Sequence, residues 1–128
     1  MDNRFDFKKP ERISFQREID LLFEQGKVFI SHPLRVVYLG QKPFSGATVS
    51  VLIGVPKKKI KRAVERNRMK RLIREAYRLN KTDLIKRLKE TDGGLLIAFL
   101  FIGNEVCRWD TVEESMQKAI KTLMEKTE

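Results

Sequence analysis

The chain has 128 residues, of which 41% are hydrophobic, and it carries a formal net charge of +10 with a pI of about 9.9. This length fits one domain with a real core, and the charge indicates a polyanionic partner, nucleic acid before an acidic membrane surface. The longest apolar run, residues 95–102, has eight residues, whereas a membrane span needs roughly 20. The N-terminus lacks the apolar stretch of a secretory signal, and Cys107 is the only cysteine. No disulfide can therefore form within the chain, which suits a reducing cytoplasm.

Residues 1–12 are polar and charged, and we expect a flexible N-terminal arm here, ahead of a single domain over residues 13–126. The first predicted helix follows, with Ser14 as its N-cap and Gly26 as its C-terminal stop. Its apolar residues recur at the spacing of one helix face: Phe15, Ile19, Leu22 and Phe23.

Strand patterns come next along the chain. A pattern with a period of two, in which every second side chain belongs to the same set, runs through residues 34–39 and again through residues 49–55. Such a pattern predicts half-buried strands. Residues 41–46, with the sequence QKPFSG, supply the proline and glycine of a loop between them. A further short strand is expected at residues 28–30. Pro56 ends the sheet pattern, because proline has no N–H to donate to a neighbouring strand.

From about residue 62 to residue 80 the hydrophobic period becomes helical. One side of this helix is apolar: Met69, Leu72, Ile73 and Ala76. The opposite side is polar and basic: Asn67, Arg71, Arg74 and Arg78, with Arg68 and Lys70 beside them. One face can therefore pack on a sheet while the other faces outward.

The last third of the chain predicts a short helix over residues 82–90, a turn at residues 91–94 and a strand over residues 95–102. That apolar run does not alternate, so we expect a strand covered on both faces, with a buried helix as the alternative. Thr111 and Glu114 have the spacing of a capping box, which starts a final amphipathic helix. Its apolar positions are Val112, Met116, Ala119 and Leu123.

These elements predict an α+β fold in one domain. It is an α–β sandwich with the order α-β-β-β-α-β-α, in which helices pack on a small sheet. A DNA-binding protein whose basic helix enters a major groove is disfavoured, because no second helix with a short turn precedes the basic one, as a helix-turn-helix requires.

The positive charge is concentrated in one segment. Residues 57–78 hold eleven Lys or Arg and two Asp or Glu, so nine of the ten excess charges lie in 22 residues. Arginine pairs with phosphate through two parallel hydrogen bonds, and Asn67 can both donate and accept, which suits 2′-hydroxyls or base edges. A solvated charged face is the alternative, but only Glu65 and Glu75 interleave with the basic residues. The segment is therefore predicted to bind RNA.

No set of residues predicts catalysis by the protein itself. His32 is the only histidine, which excludes a ribonuclease site built on two histidines, and we expect it to be exposed in a loop. The densest carboxylates, Asp110, Glu113 and Glu114, lie at a predicted helix start, where capping and the helix dipole explain them. The chain has no phosphate-binding glycine loop and no paired CxxC. We therefore predict no catalytic residue and no metal site.

One run of the basic segment closely resembles the signature of the protein subunit of bacterial ribonuclease P. The signature has a basic turn, then Ala-Val, Arg-Asn-Arg, Lys-Arg and a further Arg. In this chain these are Lys58-Lys59, Ala63-Val64, Arg66-Asn67-Arg68, Lys70-Arg71 and Arg74. Most of the chain resembles the family, apart from about the first ten residues, the loop at 40–47 and the tail. The resemblance implies a mixed sheet whose parallel strands are joined by a left-handed βαβ crossover, which about 98% of such units avoid.

The resemblance also implies a function. In this family the RNA subunit performs the hydrolysis with bound Mg²⁺ and removes the 5′ leader of precursor tRNA, and the protein is an accessory subunit in the cytoplasm. The implied partners are ribonuclease P RNA and precursor tRNA, with no membrane and no protein partner evident. The positions that match the binding site for the catalytic RNA are Lys58, Lys59, Arg62, Arg66, Asn67, Arg68, Lys70, Arg71 and Arg74. Those that match the cleft for the single-stranded leader are Ile19, Phe23, Val36 and Tyr38.

Two departures from the family pattern affect these expectations. The family often has an aromatic residue where Ile19 stands, and isoleucine cannot stack on a base, so leader stacking would rely on Phe23 and Tyr38. The turn at residues 57–59 is all lysine, where the family usually has a glycine-containing turn. Core packing is the alternative role for the aromatic residues, Phe15 included. A ribosomal or general structured-RNA-binding protein without a processing role is the alternative function.

Overall fold

Four helices and four strands make up residues 11–127, the part of the chain that this computed structural model describes. In chain order they are α1 (Gln16–Gln25), β1 (Lys27–Ser31), β2 (Leu34–Leu39), β3 (Val49–Gly54), α2 (Ala63–Asn80), α3 (Thr82–Glu90), β4 (Leu95–Phe101) and α4 (Trp109–Lys126). The predicted α+β fold is confirmed, and the short helix α3 lies between the basic helix and the last strand. Most of the predicted N-terminal arm, residues 1–10, lies outside the described residues. No helix in residues 11–127 is long and apolar enough to cross a membrane.

The strands form one mixed sheet in the order β1-β2-β4-β3. β1 pairs with β2, and β2 with β4, in antiparallel orientation, whereas β3 and β4 are parallel. Parallel neighbours need a crossover connection, which α2 and α3 supply. Beside β3, the backbone N–H of Ile13 donates to the carbonyl of Val51 at 3.1 Å and fixes the chain just before α1. The left-handedness of the crossover stays a prediction.

The sheet separates two hydrophobic clusters. α2, α3 and α4 pack on one side, called here the α2 face, to which Val36 and Tyr38 of β2 point. α1 packs on the other side, the α1 face, where Val37 lies against Leu22. The split arises because successive side chains of a strand point to opposite faces. β4 lies between both clusters and is buried along almost its whole length, as its unbroken apolar run predicts.

The helix starts differ from the predictions. α1 begins at Gln16, and Ser14 provides no cap, since no side chain bonds to this helix start. α4 begins at Trp109, two residues before Thr111, so the predicted capping box with Glu114 is wrong. Trp109 packs against the core, and burial of part of its large ring favours the earlier start.

Gly26 ends α1 through close packing, with an ordinary backbone angle. Its φ is −71°, and its N–H donates to the carbonyl oxygen of Leu22 at 2.8 Å. A Cβ at this position would lie 2.3 Å from that oxygen and 2.9 Å from Cγ1 of Val37. Only glycine therefore lets the chain leave α1 and enter β1 directly against the sheet.

A buried ion pair ties the beginning of the described chain to the junction of α2 and α3. Lys81 is 2% exposed, and its Nζ lies 2.5 Å from Oε2 of Glu11. A charge in such a dry place is costly unless an opposite charge and hydrogen bonds accompany it. The contact therefore holds residue 11 against the helical layer.

We expect Glu11→Gln to lower the free energy of unfolding by about 2–3 kcal/mol, because the Lys81 ammonium would then be buried opposite a neutral amide. Asp92→Asn is the matched control. Lys42 and Asp92 form a 2.9 Å pair that is open to solvent and should contribute less than about 1 kcal/mol. Asparagine also tolerates the positive φ of residue 92, 54°. Urea denaturation measures both variants, and equally small losses would contradict the importance of the buried pair.

Candidate nucleic-acid interface

α2 is an amphipathic helix whose apolar side packs into the core, with Leu72 half-buried at its edge. Met69, Ile73, Ala76 and Tyr77 are each 0% exposed and belong to the cluster on the α2 face. The ring centroids of Tyr77 and Phe99 of β4 are 5.7 Å apart. Burial raises the pKa of the Tyr77 hydroxyl, which is therefore protonated at neutral pH. Core packing thus fixes the rotation of the helix, and that rotation decides which of its residues face solvent.

The opposite side of α2 and the turn before it form one basic surface. We call it the basic face, and its exposed members are Lys58, Lys59, Arg62, Asn67, Arg68, Arg71 and Arg74. Lys70 is half-buried at its border. On the helix these residues follow at intervals that bring them onto neighbouring turns. The structure therefore brings eight of the nine residues that match the catalytic-RNA site onto one surface, and Arg66 is the exception.

Both acids within the basic segment are engaged by neighbouring arginines. Glu75 accepts two hydrogen bonds from Arg78, one from Nε at 3.1 Å and one from Nη2, and these bonds lower the pKa of Glu75. Glu65 lies 3.9 Å from Nε of Arg62. Within residues 11–127, the ion pairs do not include the three central arginines of the basic face, Arg68, Arg71 and Arg74.

The basic turn before α2 is held by one apolar side chain and by Arg66. Ile60 is 5% exposed and packs into the core, which leaves Lys59 and Lys61 beside it exposed. Arg66 is half-buried, and its Nη1 donates to the carbonyl oxygens of Ile60 at 3.0 Å and of Lys61 at 2.7 Å. Arg66 is therefore a brace between α2 and the turn, in addition to any RNA contact that its position in the signature implies.

The four residues expected to line a cleft for single-stranded RNA do not lie together. Ile19 and Phe23 are on α1, and Phe23 is 47% exposed. Val36 and Tyr38 are 0% and 8% exposed and belong to the cluster on the α2 face. Tyr38 packs edge-on against Phe29, with ring centroids 5.8 Å apart. The expectation that Val36 and Tyr38 face α1 is thus corrected, because a shift of one residue along a strand moves a side chain to the other face of the sheet.

Other side chains share the α1 face with Ile19 and Phe23. Val28 and Ile30 of β1 are 48% and 57% exposed and stand opposite Val37 and Arg35 of β2, so these four side chains lie on one face. We call this set the α1 surface, and its members are Ile19, Phe23, Val28, Ile30, Arg35, Val37 and Leu100. The alternation in the sequence separates the two sets of β2 residues. The alternation does not predict which set faces α1, so the sequence did not identify Val37 and Arg35 as residues of this surface.

The described histidine, cysteine and carboxylate side chains do not form a catalytic or metal-binding cluster. Among residues 11–127, no group of three or more His, Cys, Asp or Glu side chains could hold a metal ion. His32 is exposed. Burial raises the pKa of the Cys107 thiol, which therefore stays protonated at neutral pH and is a poor nucleophile. Asp110 lies in the first turn of α4, where the helix dipole accounts for it.

Comparison with known sequences gives a consistent family match. A sequence model of the family described as Ribonuclease P matches residues 7–127. A ribonuclease P protein component from Porphyromonas gingivalis is 45% identical over 116 residues, which are 91% of this chain and 85% of that protein. Another, from Clostridioides difficile, is 31% identical over 123 residues, which are 96% of both chains.

Solved structures of two bacterial ribonuclease P proteins are similar in fold to this chain. The ribonuclease P protein of Staphylococcus aureus superposes with a TM-score of 0.70 at 19% identity, covering 88% of this chain and 94% of that one. The protein from Thermotoga maritima gives a TM-score of 0.67 at 24% identity, covering 88% and 96%. At these identities, the two superpositions show a shared arrangement of helices and strands.

We expect Arg66→Met to lower the free energy of unfolding by about 1–2 kcal/mol, because it removes two hydrogen bonds from a charged donor that brace the basic turn. Arg68→Met removes a guanidinium two residues later that is exposed, and it should change the free energy by less than about 0.5 kcal/mol. Guanidinium chloride denaturation of the protein without RNA compares the two. A loss in Arg68→Met as large as in Arg66→Met would contradict the bracing role of Arg66.

Proposed function

The chain belongs to the ribonuclease P protein family, and we propose that the basic face is the surface with which it binds ribonuclease P RNA. The protein component of this family binds RNA and takes part in tRNA 5′ processing, so ribonuclease P RNA and precursor tRNA are the partners of this chain. Which of its residues serve each RNA, and which subunit performs the hydrolysis, are the further parts of the proposal.

One observation carries the assignment of the basic face: its central arginines have no acidic partner within residues 11–127, while the opposite side of α2 is locked in the core. Arg68, Arg71 and Arg74 follow at intervals of three residues, about 4.5 Å along the helix axis. Each guanidinium group can form two parallel hydrogen bonds with a phosphate. Because the helix is already held in place, binding costs little additional ordering of the backbone. Asn67 beside them can contact 2′-hydroxyl groups.

We place the hydrolytic chemistry in the RNA subunit, with this chain as its accessory. Support comes from residues 11–127, whose carboxylates and single histidine are spread over the domain instead of converging on one point. Mg²⁺ usually keeps several water ligands and binds phosphate oxygens readily, and a folded RNA supplies such oxygens in large number. The protein then contributes positive charge and substrate positioning. A cytoplasmic location is part of this proposal and follows from the family resemblance.

The α1 surface is the proposed binding site for the single-stranded 5′ leader of precursor tRNA. Phe23 offers a half-exposed ring on which a base can stack, and such stacking contributes roughly 1–3 kcal/mol per base. Ile19 adds apolar contact but no stacking. Arg35 lies on the same face of the sheet and can pair with a leader phosphate. Val36 and Tyr38 are not included, because they point into the opposite cluster.

The processing role is tested by cleavage of precursor tRNA with the matching RNA subunit at low Mg²⁺, with and without this protein. We expect the protein to raise kcat/KM and to lower the Mg²⁺ concentration required, because its cationic side chains replace counterions on the RNA. An equal charge concentration of a small polyamine is the control for general screening. If neither the rate nor the Mg²⁺ requirement changes, the processing role is wrong and a general RNA-binding role is left.

A second prediction concerns the leader. Phe23→Ala should reduce the discrimination between precursor and mature tRNA by at least about fivefold, because only the precursor carries bases that can stack on the ring. Its affinity for the RNA subunit should stay unchanged. Tyr38→Phe is the matched control and should alter neither quantity, since Tyr38 points to the α2 face. Competition binding to the reconstituted complex measures both, and equal losses on both RNAs in Phe23→Ala would indicate damaged packing.

A further inference from the structure

Two phenylalanines outside the α1 surface are exposed although they contact each other. Phe15, just before α1, is 47% exposed, and Phe44, in the loop between β2 and β3, is 51% exposed. Their ring centroids are 5.8 Å apart with an interplanar angle of 68°, an edge-to-face contact. The helical pattern predicts that Phe15 packs in the core with Leu22, yet Leu22 is buried and Phe15 is not. The fold therefore leaves a large apolar pair in solvent.

The pair is held in position by a buried carboxylate. Glu18 is 1% exposed, and its Oε2 accepts a hydrogen bond from the backbone N–H of Phe44 at 2.9 Å. The loop closes behind Phe44, where the N–H of Gly46 donates to the carbonyl oxygen of Pro43 at 3.1 Å and Gly46 adopts a φ of +90°. A buried acid is costly unless it is hydrogen-bonded, so Glu18 and the loop backbone stabilise each other. The ring of Phe44 is thereby fixed beside α1 without being covered.

The charges around the pair favour an anionic ligand. Arg17 is exposed two residues after Phe15 in the sequence. Glu18, the acid bonded to the loop, is buried, and the exposed Asp20 accepts a hydrogen bond from Gln16 at 2.8 Å. Exposed rings beside an arginine are an arrangement with which proteins bind single-stranded nucleic acid, because every base has a face that can stack.

We propose that Phe15 and Phe44 form a stacking site for one unpaired nucleobase of the 5′ leader, distinct from the base at Phe23. This inference rests on the proposed function. Phe15 and Phe23 are eight residues apart, which is about 12 Å along a helix, so one base cannot reach both rings.

The test uses the reconstituted complex of RNA subunit and full chain with a series of precursors, each with one abasic nucleotide at a different leader position. kcat/KM is measured for each precursor with the wild-type protein and with Phe44→Leu, Phe15→Leu and Phe23→Leu. Leucine keeps an apolar side chain at each position but cannot stack. Leu79→Ala is the control, because Leu79 is 42% exposed on α2 and has no assigned contact.

We expect the wild-type profile to show at least two sensitive leader positions, each with a loss of about fivefold or more when the base is removed. Phe44→Leu and Phe15→Leu should abolish the sensitivity at one position, and Phe23→Leu at the other. Leu79→Ala should leave the whole profile unchanged. Because Phe15 and Phe44 are varied separately, and urea denaturation checks each variant, loss of folding in one of them does not prevent the test.

The inference is overturned if folded Phe15→Leu and Phe44→Leu keep the wild-type profile. It is also overturned if they lower kcat/KM equally for all precursors, since the pair would then contact another RNA surface or a protein. In both cases the proposed function stands as long as the wild-type protein stimulates cleavage. If the wild-type protein has no effect on cleavage, the proposed function itself fails.

Discussion

The packing of α2 against the sheet and α4 is the contact on which the other features of this domain depend. Its buried side chains, Met69, Ile73, Ala76 and Tyr77, include large apolar groups that contribute about 1.5–3 kcal/mol each. That gain offsets the mutual repulsion of a segment in which nine excess positive charges lie within 22 residues. The same contact fixes the rotation of the helix, so the arginines face outward together. Glu65 and Glu75 relieve only part of this repulsion, so binding of a polyanion relieves more of it.

In the proposed function, the sheet divides the two kinds of RNA recognition between its faces. The helices pack on the α2 face of the sheet, and the outer side of α2 carries the basic face. Its guanidinium groups suit the phosphates of a folded RNA. On the α1 face, Val28 and Ile30 of β1 are exposed, and Phe23 of α1 is exposed as well. An unpaired strand has exposed bases, and such bases gain from aromatic and apolar contacts that a duplex does not offer. In this proposal, one domain holds a structured RNA and a single-stranded leader at the same time.

The sequence predicts the elements of this fold well where a period is long, and the faces of the sheet poorly. β2, the basic helix and the buried strand β4 are found within one residue of the predicted bounds, because alternation and helical spacing are local properties. Which of the two alternating sets of β2 side chains faces α1 depends on how the chain turns at Gly26. That turn relies on a close contact with Leu22 and Val37, which no sequence pattern predicts. Phe15 looks like a core residue because it shares the helical period of Leu22. In the structure it is exposed, and its ring contacts Phe44, in a loop that is distant in sequence.

Whether the exposed arginines of α2 bind the phosphates of the RNA subunit is tested most directly by the salt dependence of that binding. The slope of the logarithm of affinity against the logarithm of salt concentration counts the phosphate contacts. Arg71→Ala is expected to reduce its magnitude by about one unit. Lys121→Ala, which removes an exposed charge from α4, should leave it unchanged. An unchanged slope in Arg71→Ala would mean that this side chain faces only solvent in the complex, and it would contradict the account.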